Sequence, residues 1–339
     1  MNRALRFFGP WDLRLTEQSA EPPLEASEVL VRVRATGICG TDIGILRGDY
    51  GARQGVIIGH ESAGDIVGIG SGVSSVRPGD RVVIDPTYYC GFCRMCRTDR
   101  PNHCTAKTTR ESGVSSDGTF ATLYRTEERF VHGIADHVSY AEASLTEPLS
   151  CVLTGLNQMR LRADLDTAVI GAGPMGMLYC HALAARGFTG TVLETSAARR
   201  RLCEDRLPAG WSMAPPDDAD ASDLDFVVDT SGVALPRMLP RLRRGGQVLL
   251  VGLAGSPCTI SPWQMADRSI SVVGSIDSIG TFALASRMIE TGTIRAKDLV
   301  THELPLDDFG RAFSLLGIDF AGRRRSTDDV SAIKVVLAP

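Results

Sequence analysis

Residues 167–187 read TAVIGAGPMGMLYCHALAARG. An apolar strand, TAVI, runs into glycines at 171, 173 and 176 and then into a helix-forming run of Met, Leu and Ala, so the glycines occupy a strand-to-helix turn. Gly171 allows the tight turn, Gly173 lets backbone approach a ligand, and Gly176 lets helix and strand pack closely. The helix that Pro174 and Met175 open would present unpaired N–H groups and a positive dipole end, which suits a pyrophosphate. The next strand, TVLET, ends in Glu194, 18 residues after Gly176. An acid there accepts hydrogen bonds from both hydroxyls of a ribose and repels a 2′-phosphate, which favours NAD. Arg199 is a further cofactor-binding candidate, and with Arg200 it keeps NADP open as the alternative.

The same alternation continues outward. Strands are expected at DFVVDTSG, QVLLVGLAG and SVVGSIDS, and helices over 197–206 and 233–243, which makes residues 151–279 a doubly wound parallel α/β sheet. The stretch 207–223, LPAGWSMAPPDDADASD, has tandem prolines and many acids and leaves room for one short strand, so the sheet is expected to be trimmed there. Upstream, residues 1–150 carry short β-type runs (VLVRVRATG, GDIVGIGSG, DRVVIDP) broken by Gly, Pro and Asp, the pattern of a twisted, mostly antiparallel β domain. Residues 280–339 add a helix at FALASRMIETG, a Pro-Leu turn, a helix at DFGRAFSLL and a strand, AIKVVLA, expected to rejoin the first β domain. RRRSTDD reads as a mobile loop.

With 339 residues, 43% hydrophobic and 22% charged, the chain has room for two globular domains. A net charge of -4 gives no basic field for phosphate backbones, which argues against a nucleic-acid partner. No apolar run approaches the ~18 residues of a membrane span. The start, MNRALRFFGPWDLRL, lacks an export signal, so the expected location is cytoplasmic. Of nine cysteines, four fall between Cys90 and Cys104. That odd count without an export signal points to metal ligation and buried thiols rather than disulfides. Basic residues are almost all arginine, with Lys107, Lys297 and Lys334 the only lysines.

Cys90, Cys93, Cys96 and Cys104 share the segment YYCGFCRMCRTDRPNHC. Four thiolates on one lobe, about 86–108, complete a tetrahedral zinc shell with no open position, a structural site; an iron–sulfur cluster is the competing reading. His103 reads as a surface residue beside it. A second set is scattered: Cys39 in GICGTD, His60 and Glu61 in GHE, and Glu147 in TEPLSC. Thiolate, imidazole and carboxylate suit a catalytic zinc with a vacancy. Taken singly, each reads as a buried thiol or a core polar residue.

GICGTD, GHE, the four-cysteine lobe, PGDRV, DGTFA, the EP turn and GAGPMG, in that order, resemble the zinc-containing medium-chain dehydrogenases over nearly the whole chain. The likeness is nearest to the polyol (sorbitol-like) and threonine dehydrogenase branch. The resemblance implies a GroES-like catalytic domain, 1–150 with 280–339, joined to a Rossmann domain, 151–279. It implies two zincs per chain and NAD, the catalytic zinc held by Cys39, His60 and Glu61, with Glu147 bound directly or through water. Thr41 would hand on the substrate proton, and Asp42 would orient a ligand. The reaction implied is oxidation of a secondary hydroxyl of a small polar alcohol, the chain acting as a homodimer or homotetramer. Threonine-type or simple alcohol oxidation is the alternative, and a catalytically silent zinc- and nucleotide-binding regulator a third.

Two positions depart from the family pattern. Gly44 stands where polyol enzymes carry a relay histidine, so water or another side chain must finish the proton path. Asp277 stands where they carry an arginine near the substrate. An acid there would suit an ammonium group, which raises an amino sugar or cyclitol, of the kind met in aminoglycoside-type antibiotic biosynthesis, as a substrate beside plain polyols.

Overall fold

Along Glu28–Gly37 the valines at 29, 31 and 33 point inward while Arg32 and Arg34 face solvent, the period of two that a half-buried strand requires. In the computed structural model, which describes residues 2–18, 22–217, 223–253 and 257–339, this strand is the spine of a seven-stranded sheet. Glu61–Ile69 pairs antiparallel with one side of it, followed by Arg81–Ile84 and Val131–Gly133. Leu123–Glu127 also pairs antiparallel with the spine. Lys334–Ala338 lies antiparallel beside Thr36 and Gly37, with Val300–Pro305 parallel to it outside. The terminal strand therefore rejoins the first β domain. Val29, Val31, Ile66, Val82, Ile84 and Val131 form one apolar cluster on this sheet, each such side chain contributing ~2 kcal/mol by leaving water.

This sheet belongs to a unit built from residues 1–147, 278–326 and 334–339; residues 148–277 and 327–333 form a second unit. The second unit holds a six-stranded parallel sheet in the spatial order Trp211–Ala214, Gly190–Leu193, Thr167–Ile170, Leu224–Asp229, Leu242–Leu250, Ser271–Gly274. The order reverses between Thr167–Ile170 and Leu224–Asp229, and in open α/β sheets ligands bind beyond the strand ends at such a reversal.

Three local expectations change. The helix expected over 233–243 is a single turn, Leu235–Met238, then a 3-10 turn, Leu239–Arg241. Pro240 cannot donate its share of the helical ladder, and a strand begins at Leu242. The stretch 207–223 keeps its strand, Trp211–Ala214, so the sheet retains six strands; residues 218–222 of that stretch, like the end of QVLLVGLAG at 254–255, lie outside the described residues. RRRSTDD begins as half of a hairpin, Ile318–Asp319 against Arg324–Arg325, rather than as a loop throughout. Asp319 fastens it by accepting from Gly322 N at 2.9 Å and Arg324 Nε at 3.1 Å. Among the described residues, no helix is long and apolar enough to cross a membrane.

Candidate active site

Cys39 caps the helix Gly40–Arg47, and His60 ends the loop that enters the strand Glu61–Ile69. Ligand atoms of Cys39, His60 and Glu61 all lie within 4.8 Å of one another. Their spacing is set by Asp42, which is fully buried in the first turn of that helix. One of its oxygens accepts from Cys39 N at 2.8 Å and the other from Gly59 N at 3.0 Å, so one carboxylate ties together the two segments that carry the ligands. Gly59 has φ +90 and a Cβ there would lie 2.5 Å from the Phe120 ring, so glycine is required on both counts. The DGTFA motif closes over this turn: Thr119 N and Phe120 N donate to the carbonyls of Gly59 and Ile58, each at 2.9 Å.

Charge gathers around the imidazole. Burial pulls His60 down, but the charge and hydrogen bond of the Cys39 sulfur beside it, together with the charges of Asp42 and Glu147, outweigh burial and hold His60 well above its ordinary value. Such a cluster attracts positive charge. Glu147 opens the helix Thr146–Asn157 and is buried, yet its carboxylate does not join the three ligand atoms. Thr41 Oγ1 is 3.7 Å from Cys39 Sγ. At Gly44, a Cβ would lie 3.3 Å from the Cβ of Tyr50, so this residue packs where a side chain at 44 would begin.

Lys334 did not stand out in the sequence. It is 1% exposed, forms an ion pair with Glu61 and donates to the carbonyl of Ile38 at 3.0 Å. Two signals could have found it: a lysine in an arginine-biased chain, and a cation inside the apolar run AIKVVLA.

Cys90, Cys93, Cys96 and Cys104 form the second cluster of potential ligands. Sulfur separations of 3.9 Å (Cys90 to Cys96), 3.5 Å (Cys93 to Cys96) and 3.9 Å (Cys93 to Cys104) are too long for disulfides. A tetrahedron with Zn–S bonds of about 2.3 Å has edges of about 3.8 Å, so the four sulfurs match a zinc shell. Amides of Cys96 and Thr105 hold the Cys93 thiol down to about 5, favouring the thiolate a metal needs. His103 is exposed and outside the cluster.

In the second unit, Gly171 has φ +95, and a Cβ on Gly176 would fall 1.8 Å from the Gly171 carbonyl oxygen. A Cβ at Gly173 would meet no atom of the chain, so this glycine is not demanded by internal packing. Gly173 caps the helix Pro174–Ala184, with Pro174 at a position where a missing N–H costs nothing and Met175 next in the first turn. Glu194 is buried; its carboxylate accepts from Ala172 N and Ser196 N, each at 2.8 Å, which fixes the acid beside the glycine turn. Arg199 Nη1 stands 3.7 Å from Glu194, whereas Arg200 is committed to the carbonyls of Glu194 and Thr195. Asp229, another residue not singled out in the sequence, accepts from Ser231 N, Gly232 N and Ala234 N and so shapes the loop at the end of the neighbouring strand. Asp277 adopts a left-handed backbone, φ +59, at the end of the second unit.

A family model described as the alcohol dehydrogenase GroES-like domain matches residues 25–136. D-altritol 5-dehydrogenase of Agrobacterium fabrum is 34% identical over 297 residues, covering 84% of this chain and 87% of that protein. Sorbitol dehydrogenase of Bacillus subtilis is 30% identical over 303 residues, covering 84% and 85%. Among solved structures, a candidate zinc-binding dehydrogenase from Sinorhizobium meliloti bound to NADP superposes with TM-score 0.88 at 26% identity, covering 100% of this chain and 99% of that one. A cobalt- and zinc-bound alcohol dehydrogenase from Pyrobaculum aerophilum gives 0.86 at 26% identity, covering 100% and 99%.

Proposed function

Because the chain belongs to the zinc-containing medium-chain dehydrogenases, in their polyol branch, we propose that it oxidises a secondary hydroxyl of a small polyol or sugar to the ketone, with NAD as hydride acceptor. The observation that carries this reading is the convergence of Cys39, His60 and Glu61, with ligand atoms within 4.8 Å, a donor set that fits a zinc ion. Zinc bound there supplies a Lewis acid that makes an alcohol more acidic. The chain's own residues do the rest. Cys39, His60 and Glu61 would hold the metal, Asp42 fixes their separation, and Glu147 would bind it directly or through water. The Thr41 hydroxyl takes the substrate proton outward, and because Gly44 offers no side chain, water or another side chain must carry it on.

In the second unit, the amides that open Pro174–Ala184 bind the pyrophosphate, and Glu194 and Arg199 bind the adenosine ribose. A buried Glu194 carboxylate supports NAD over NADP, because a 2′-phosphate would bring a second anion against it. The four-cysteine lobe holds a second, structural zinc. The homodimer or homotetramer is supported by Ser271–Gly274, an edge strand of the parallel sheet among the described residues, and by Trp263, 71% exposed in the helix that precedes it in sequence. An aminated substrate rests on Asp277 alone. Its left-handed backbone supplies a reason for an aspartate that involves no substrate, so a neutral polyol, as for the D-altritol and sorbitol enzymes, is the class carried forward.

The test is NADH formation against a panel of polyols, amino sugars and threonine, with NADP as the competing acceptor. Cys39→Ser is expected to lose at least a thousandfold in kcat/KM while still binding NADH; near-native turnover by that variant would remove the metal from the reaction.

A further inference from the structure

Glu61 is at once a member of the ligand cluster and the partner of a buried ammonium. The geometry follows from the sheet. Gly37 lies in the spine strand with Glu61 opposite it on one neighbouring strand and Val336 opposite it on the other. Glu61 and Lys334 reach over Gly37 from the two sides and meet there. A Cβ on Gly37 would fall 2.4 Å from Glu61 Oε2 and 2.6 Å from Lys334 Cε, so only glycine leaves room for the pair. Both side chains are removed from solvent, at 2% and 1% exposure. The ammonium also donates to Ile38 O, on the residue directly before Cys39. Two buried polar side chains therefore clamp the same two segments: Asp42 joins Cys39 to Gly59, and Lys334 joins Ile38 to Glu61.

We propose that Lys334 is a positioning residue that sets the affinity of the Cys39, His60 and Glu61 site for its metal, by dividing the Glu61 carboxylate between an internal cation and the bound one. This rests on the metal reading of the site given above. In the metal-free protein, Lys334 neutralises a carboxylate that would otherwise lie buried and unpaired, which is costly. With a dication at the site, the same ammonium becomes a nearby like charge held at low dielectric, which weakens metal binding. Lys334 thus stabilises the empty cradle and loosens the filled one. A lysine that only packed the sheet would stabilise both equally.

Lys334→Met keeps the length of the stem and removes the charge. Metal-free Lys334→Met is expected to melt well below the metal-free parent, and zinc to raise its melting temperature by more than it raises the parent's. Zinc affinity for the second metal equivalent, measured by competition with a chromophoric chelator while the four-thiolate equivalent stays bound, is expected to tighten at least tenfold. Lys334→Arg should restore the parent values. If metal-free Lys334→Met folds poorly, the variant refolded with zinc gives the same answer: a chelator should remove its second zinc equivalent at least tenfold more slowly than the parent's, and an equal rate overturns the inference. Equal loss of stability with and without zinc at unchanged affinity overturns this inference alone. A parent protein that binds only one metal equivalent overturns both it and the metal reading.

Discussion

Asp42 is a single carboxylate with two backbone amides on it, and its replacement gives a measurable result. Asparagine offers one acceptor oxygen where aspartate offers two, so Asp42→Asn leaves either Cys39 N or Gly59 N facing an NH2 group. Leaving a buried donor unsatisfied costs about 1–3 kcal/mol. The metal-free melting temperature is expected to drop and the second zinc equivalent to be lost on dialysis, while the four-thiolate zinc stays. Asp277 makes the opposite kind of case. At φ +59, Asp and Asn are tolerated and Ala costs about 1–2 kcal/mol. Asp277→Asn is expected to melt like the parent and to change turnover of neutral and aminated substrates by the same factor, with Asp277→Ala less stable; a loss confined to aminated substrates would bring back a charge role. Cys39, His60 and Glu61 stand out in the sequence only together, as thiolate, imidazole and carboxylate in motifs whose order resembles a known family; singly each reads as a buried thiol or core polar residue. Lys334 does not stand out, since its partner is 273 residues away and its neighbours read as an ordinary apolar strand.

Elements were legible where a backbone constraint is written into residue type. The glycine turn needs Gly171 for its positive φ and Gly176 for the 1.8 Å approach to the Gly171 carbonyl, so the strand, turn and helix around them follow from local chemistry. Gly176→Ala must push backbone from backbone, which no rotamer change relieves. NADH binding by fluorescence titration is expected to weaken at least tenfold, with zinc content unchanged. The helix over 233–243 was misjudged for the converse reason: its apolar residues have helical spacing, but Pro236 and Pro240 limit the segment to single turns. The 324–325 strand is not visible in the sequence because it is two residues long and its turn is held partly by Asp319 side-chain contacts that no propensity encodes.

At the scale of the molecule, Ser271–Gly274 is an edge strand of the parallel sheet among the described residues, and Trp263, in the helix before it in sequence, is exposed. Trp263→Lys is expected to shift the protein toward single chains in light scattering with little change in melting temperature; an unchanged mass would place the contact elsewhere. The composition and periodicity that divide β from α/β regions were plain in the sequence, whereas the return of residues 327–333 to the second unit was not, because nothing in TDDVSAI marks which sheet it serves. The clamp on Glu61 has one more effect, on timing. A ribosome delivers Lys334 273 residues after Glu61, on the order of tens of seconds later at usual rates of synthesis. Until then the nascent chain carries Cys39, His60 and Glu61 without the ammonium that pairs with Glu61 in the finished fold, so that carboxylate is the last of the three to be neutralised.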